Sequence, residues 1–297
     1  MKTMNVTSNK VKFLIIPLLI IAAGIVMYFV RGGFNFDIEF MGGVRMQVDM
    51  EKSFDYEEVS KYLEEQLGIS PVIVQSGSGT TATIKTQPID DEQKDKIFSS
   101  LKEKYSLTAD APMSVTSASA SFGGEVQRKA FIYTLIAIIC ILIYIAFRFE
   151  WRSAVMAVIA LALNILVMMA VYAITYTPLN TTFIAAMLTI IGYSINNTIV
   201  VFDRIRENMK GFKAKKGETV SEIVNRSITE SMGRTLNTTI TTLITIVLLY
   251  FLGVQSIKEF AFPLIIGILA GAYSSIFIAS PFWAAWKESE VEAAKQK

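Results

Sequence analysis

Apolar residues fall in long runs along this chain, broken by one extended polar stretch and one shorter basic one. Six runs stand out: Phe13–Val30, Ala130–Phe147, Ala154–Ile174, Thr182–Val201, Thr238–Leu252 and Phe260–Phe282. A bilayer core about 30 Å thick needs roughly 20 apolar residues in a helix, within a range of about 17–25. Each run meets that length or comes close to it. The pattern predicts an α-helical polytopic membrane protein with six transmembrane helices. Lys2, Lys10 and Lys12 precede the first run, as in a secretory signal. That run is longer than an apolar signal core of about 7–15 residues, and no A-x-A-like site follows, so it reads as a retained anchor.

The polar stretch, residues 35–125, is patterned like a folded domain. GVRMQVDM (43–50) alternates with period two, as a half-buried strand does. Asp55 is placed to cap a helix through YEEVSKYLEEQLG, which Gly68 ends. PVIVQSG and TTATIKTQ read as strands around a GSG turn. Asp90 opens a second helix, DDEQKDKIFSSLKEKY, and APMSVTSASAS closes with a strand. The order β-α-β-β-α-β is that of an α+β ferredoxin-like domain, lying between the first and second transmembrane helices. Such a fold by itself specifies no activity.

Lysine and arginine in short loops set the orientation. Arg204, Arg206, Lys210, Lys213, Lys215, Lys216 and Arg226 follow the fourth run, and Arg148 and Arg152 lie between the second and third. The loop TYTPLNT (175–181) has no charge, and that near 253–259 has only Lys258 and Glu259. Both termini are therefore expected in the cytoplasm and the α+β domain outside it. Arg31, Arg128 and Lys129 oppose the rule, but they flank a long domain, and long domains translocate largely regardless of charge. The expected organisation is a cytoplasmic N-terminus (1–12), a first transmembrane helix (13–30), the extracytoplasmic domain (35–125), a five-helix bundle (130–282) with a basic cytoplasmic loop (203–234), and a cytoplasmic tail (283–297).

Composition narrows the function classes. Of the 297 residues, 52% are hydrophobic and 18% charged, below the roughly 25% charged of a soluble domain. A net charge of +2 argues against a nucleic-acid partner, which needs a concentrated basic face. With no histidine and one cysteine, Cys140, histidine acid–base chemistry, an internal disulfide and multi-cysteine metal sites are all absent. Cys140 lies in an apolar run and reads as a small buried hydrophobe. No metal site or cofactor is expected, and the residue clusters that glycosidase, nuclease or triad chemistry needs are missing.

Polar residues inside the runs are the candidate chemistry. Asn196 and Asp203 are seven residues apart on one helical face, with Gly192 four residues before Asn196. Asn197 projects from the adjacent face, above Tyr193. Arg234, Thr238, Thr241 and Thr245 form a stripe on the fifth run that Asn237 borders, and Asn164 adds an amide to the third. Hydrocarbon offers such groups no partner. Either they pack and hydrogen-bond helices together, or they line a route for an ion or protons.

At these residues the chain resembles the SecF subunit family of the bacterial SecD–SecF protein-translocation accessory complex. GYSINNTIVVFDRIREN (192–208), with Asp203 and Arg204 in its charged end, looks like that family's signature. SMGRTLNTTITTLITIVLLYFLG (231–253) looks like its next motif, and FNFDIEFMGGVRMQV (34–48) is similar to the one outside the first helix. In the last, Glu39 stands where the family usually has aspartate, followed by Phe40, Gly42 and Gly43. The two glycines read as a tight bend, and Glu39 as an anchor of the junction or a contact to SecD. The six-run layout matches too.

The resemblance implies half of a transporter of the resistance-nodulation-division type, in a bacterial inner or plasma membrane, pairing with SecD. Its further implied partners are the channel subunits SecY, SecE and SecG, a YidC-type insertase, unfolded preprotein and membrane lipid. The complex is taken to draw on a proton or sodium gradient to assist export. The family's I-N-D-T pattern reads Ile195-Asn196-Asn197-Thr198 here, so Asn197 holds the acidic position while Arg234 matches the family's intramembrane arginine. An amide does not titrate near neutral pH. Coupling is then expected to rest on acids of SecD, with Asn197 a hydrogen-bonding partner. Sodium ligation, an uncoupled scaffold, and an exporter half of the same superfamily are the alternatives.

Overall fold

The computed structural model describes residues 4–68, 73–76, 80–108, 110, 112–118, 120–148, 150–210 and 218–295. The GSG turn expected at 77–79, and Lys213, Lys215 and Lys216 of the basic loop, lie outside the described residues. By its contacts the chain divides into two compact units: residues 1–35, 133–177 and 182–297 form one, and 36–132 with 178–181 form the other.

Among its described residues the smaller unit has four strands, β1 (Gly43–Asp49), β2 (Ile73–Ser76), β3 (Thr81–Thr86) and β4 (Ser114–Ala118), all antiparallel in the order β2-β3-β1-β4. Central β1 pairs Val44 with Thr86 on one side and Gln47 with Ser114 on the other. Val44, Met46 and Val48 are buried while Arg45 and Gln47 are less so, the period-two alternation of a sheet covered on one face. Short helix α2 (Ile38–Met41) leads into β1; α3 (Tyr56–Leu67) and α4 (Asp91–Tyr105) supply Val59, Leu63, Ile97, Phe98 and Leu101 to one core with Met46, Val48 and Ile84. The Asp55 side chain accepts from the N–H groups of Glu57 and Glu58, and Gly68 ends α3 in the left-handed region. Asp90 and Gln93 form a reciprocal capping box on α4. The closing strand stops at Ala118, and from Ala120 the chain is helical.

The larger unit is helical. Among the described residues, five helical segments are long and apolar enough to cross a membrane: Thr7–Val30, Trp151–Thr175, Thr181–Lys210, Val220–Leu252 and Ser256–Ala293. They take in α1 (Lys10–Val30), α6 (Trp151–Thr175), α7 (Thr181–Lys210), α8 (Val220–Leu252) and most of α9 (Gln255–Ser274) and α10 (Ser280–Lys295). The sixth expected run lies in α5 (Ala120–Arg148) as the shorter apolar segment Ile132–Phe147. Cys140 in that segment is exposed, not buried as its apolar setting suggested, because Leu135, Ile136, Ile139 and Ile143 around it are exposed as well.

Two further expectations are corrected. The charged stretch after the fourth run is not all loop. Arg204, Arg206 and Lys210 are helical in α7, and Arg226 is helical in α8, which Thr219 and Glu222 open with a second capping box. The helix that carries the last run also continues past Phe282, to Lys295. A π-helical turn, Ser275–Ala279, joins α9 to α10. Pro281 follows it, lacks the N–H that would reach the carbonyl four residues back, and crowds that carbonyl; the extra residue relieves the conflict. Ser280 Oγ donates to the Ser275 carbonyl at 3.0 Å across the widened turn.

Helices approach closely where small residues meet. A Cβ added at Gly24 of α1 would lie 2.5 Å from the Ala170 Cα of α6, and one at Gly267 of α9 would lie 2.5 Å from Ile190 of α7. Pro17 interrupts α1 without breaking it. The carbonyl it leaves free, that of Phe13, accepts from the Tyr273 hydroxyl at 2.7 Å.

Candidate functional site

The polar residues of α7 divide between two faces. Gly192, Asn196 and Asp203 are exposed, whereas Ser194, Asn197 and Thr198 are buried. Tyr193 is half-buried; its hydroxyl donates to the Thr238 carbonyl at 3.2 Å and lies 3.4 Å from Thr242 Oγ1. Further along, Asn208 donates to Ser227 Oγ at 2.9 Å and to Glu230 at 2.8 Å, and Arg204 pairs with Glu230 at 2.7 Å and Glu207 at 2.6 Å. These contacts fix an antiparallel register between α7 and α8. It sets Asn197, one turn beyond Tyr193, at the level of Arg234–Thr238.

At that level three buried groups face no partner among the described residues: Asn197 Nδ2, Thr235 Oγ1 and Thr239 Oγ1. Asn197 is only 2% exposed. On the outer face of α8, Arg234, Asn237, Thr238 and Thr241 are exposed. The threonine stripe is largely self-satisfied. Thr238 Oγ1 donates to the Arg234 carbonyl at 2.9 Å, Thr241 Oγ1 to that of Asn237 at 2.9 Å, and Thr245 Oγ1 to that of Thr241 at 3.3 Å. Threonine in a helix closes on its own backbone in this way, so the polar demand of this face falls on Arg234, Asn237 and Asn196.

A second polar layer crosses the bundle behind α7. Asn164 Nδ2 of α6 donates to Ser194 Oγ at 2.7 Å. Thr198 Oγ1 and Ser275 Oγ lie 2.8 Å apart, and Ser275 Oγ donates to the Gly271 carbonyl at 2.8 Å. Ser194, Thr198 and Ser275 were not singled out from sequence, since single hydroxyls in apolar runs carry little signal. The signal available was Ser274-Ser275 six residues before Pro281. Asn164 also borders an apolar cavity of about 310 Å³ lined by Pro17, Ile20, Leu163, Ile266 and Tyr273.

The motif at the start of the smaller unit makes its contacts within that unit. Gly42 (φ +80°) ends α2, and Gly43 (φ +143°) brings the backbone so near β3 that a Cβ would lie 2.2 Å from the Thr86 carbonyl oxygen. Glu39 Oε2 accepts from the Thr181 N–H at 2.8 Å and the Thr181 hydroxyl at 2.6 Å. Sequence reasoning passed over Asp37, two residues earlier. Its carboxylate is buried and ion-paired to Arg45 and, at 2.9 Å, to Lys85. Arg45 and Lys85 are cross-strand partners, so this acid offsets a like-charge pair that would otherwise destabilise the sheet.

A bundle of long apolar helices with a polar layer through it and a small α/β unit defines a multi-pass membrane protein. Residues 98–289 match the family model described as protein export membrane protein SecD/SecF, C-terminal. The chain belongs to this SecD/SecF protein-export family. It is 35% identical to the protein translocase subunit SecF of Alicyclobacillus acidocaldarius, over 93% of this chain and 90% of that one. It is 36% identical to the protein translocase subunit SecDF of Bacillus subtilis, over 96% of this chain but 38% of the relative. The crystal structure of SecDF from Thermus thermophilus, titled a translocon-associated membrane protein, superposes with a TM-score of 0.84 at 32% identity. That match covers 96% of this chain and 39% of the solved one.

Proposed function

We propose that this chain is a SecF-type subunit that works with SecD beside the SecY, SecE and SecG channel, and with a YidC-type insertase, to assist preprotein export driven by an ion gradient. In this reading it lies in a bacterial plasma membrane with both termini cytoplasmic. Ile132–Phe147 is the sixth crossing, and residues 35–125 are an extracytoplasmic ferredoxin-like domain. The exposed side chains of Ile132–Phe147 suit lipid, and the strand order β2-β3-β1-β4 suits that fold.

One observation carries the coupling reading. Asn196, Arg234 and Asn237 point out of this chain from two neighbouring helices that are otherwise apolar enough to cross a membrane. Lipid gives an arginine no counter-charge, so a partner helix bearing acids is what this face fits. The most apolar stretch of α8 is as little buried as that of the first span, 11% in each, but the open side of α8 is the one that carries Arg234 and Asn237. Relatives named SecDF carry both names on one longer chain, and that supports SecD as the partner. Asn197, buried at the same level, supplies an amide but no titratable proton, so the acid comes from SecD.

The test is export from sealed vesicles with the proton and sodium gradients clamped separately. Collapse of one gradient reduces export in the unaltered complex, and Arg234→Ala removes that dependence. The non-titrating amide at 197 specifically favours a second reading, an uncoupled scaffold. That reading prevails if neither gradient matters while SecD still co-purifies. A homotrimer without SecD would point to an exporter half.

A further inference from the structure

We infer that the apolar cavity bordering Asn164 is a binding site for the acyl chain of a membrane phospholipid. Its described lining residues come from α1, α6 and α9 and all belong to the larger unit.

The cavity measures about 310 Å³, and an apolar cavity of about 150 Å³ already stays dry and takes up benzene. Its walls are chiefly aliphatic, with Ile20, Leu163, Val171, Ile266 and Ala270 among them. The three polar side chains that border it donate elsewhere. Asn164 Nδ2 donates to Ser194 Oγ, Ser274 Oγ to the Gly271 carbonyl at 3.2 Å, and the Tyr273 hydroxyl to the Phe13 carbonyl. With those donors engaged inside the bundle, the cavity suits an apolar occupant.

Position and shape select which one. No charged residue lies between Lys12 and Val30 on α1, or between Arg152 and Thr175 on α6. The cavity therefore sits among the lengths of both helices that cross hydrocarbon, where lipid tails are the neighbours and headgroups are out of reach. Its walls run from Leu163 to Val171 and from Ile266 to Ser274, each about 12 Å along a helix at roughly 1.5 Å per residue. A slot of that form takes an extended chain lying along the helices, as lipid tails lie, rather than a compact ring. Ile16 and Leu269 are exposed at its rim, whereas Asn164, Val167 and Ser274 are buried. It is thus entered from outside the bundle and deepens toward the polar layer. No residue of α7 or α8 is among its described lining residues, so it lies apart from the face that Asn196, Arg234 and Asn237 occupy.

The full chain, purified with the proteins that accompany it, is returned to vesicles of phosphatidylethanolamine and phosphatidylglycerol. These contain a phospholipid with a diazirine midway along one acyl chain, and adducts formed on illumination are mapped by mass spectrometry. Lipid that merely surrounds the protein labels exposed residues such as Ile139 and Leu248. A chain in the cavity also labels Ala270 and the buried Val167. Ala270→Phe fills the slot and should lower labelling of Val167 severalfold while that of Ile139 stays unchanged. Val171→Phe fills it from the α6 wall and serves if the first variant does not accumulate. Lack of adducts on Val167 and Ala270, or adducts that neither filling variant reduces, overturns the inference. Labelling that appears only after the accompanying proteins are stripped away gives the cavity to a partner helix and overturns it too. A diazirine on the headgroup should leave Val167 unmarked; labelling from there would mean that something other than the chain enters.

Discussion

The Tyr273 hydroxyl donates to the Phe13 carbonyl at 2.7 Å, the acceptor that Pro17 deprives of its intrahelical donor. A proline in the first crossing is thereby compensated from the last one. Tyr273→Phe leaves that carbonyl unsatisfied in apolar surroundings and is expected to cost about 1–3 kcal/mol. The loss should show as a lower thermal midpoint of the purified chain in mild detergent. Pro17→Ala restores the intrahelical donor and should make Tyr273→Phe nearly neutral, a coupling that a double-mutant cycle reads directly.

Asp37 stands between Arg45 and Lys85, and its replacement leaves two cations side by side on adjacent strands. Removing one member of a buried ion group costs about 3–5 kcal/mol. Asp37→Ala should therefore expose residues 36–118 to limited proteolysis, while the membrane helices stay protected. Equal protection of both regions would show that the cations relax into solvent.

Gly24→Val drives a side chain into the Ala170 backbone, and overpacking of this kind costs about 1–3 kcal/mol. A Cβ at Gly192 or Gly233 meets nothing within 4 Å in this chain. Gly192→Leu and Gly233→Leu should leave the midpoint of the isolated chain unchanged, and Gly233→Leu should favour the helix slightly. If SecD covers this face, both leucine variants lose co-purification with it; retention by both would place the partner elsewhere.

Asn197→Asp puts an acid at the level of Arg234 on the neighbouring helix. The expected outcome is a changed ion or pH dependence of export in vesicles. An unaltered dependence would remove position 197 from the coupling path.

Helical periodicity made the split of α7 legible: Gly192, Asn196 and Asp203 share one face and Asn197 the next, a consequence of the 3.6-residue turn. Period-two alternation and two aspartate caps likewise placed β1, α3 and α4. What periodicity alone could not place depended on contacts distant in the chain. Thr198 pairs with Ser275 because the helices pack there. Asp37 is structural because β1 and β3 bring Arg45 and Lys85 together. Apolarity marked Cys140 as interior, but in a membrane protein the outside is apolar too. Charge marked 204–226 as loop, although α7 and α8 carry their charged ends onward as helix.

The widened turn at Ser275–Ala279 acts as a phase shift. One additional residue advances the remaining helix by about 100°, which decides which side the tryptophans present. Trp283 meets Phe202 at 6.1 Å between ring centres, Trp286 meets Trp151 at 5.0 Å, and Lys287 reaches Glu150 at 3.0 Å. Excising a single residue from this turn would rotate that whole set off its partners while leaving composition and hydropathy almost untouched. The registry of the chain's far end is thus stored in one surplus residue rather than in any contact it makes.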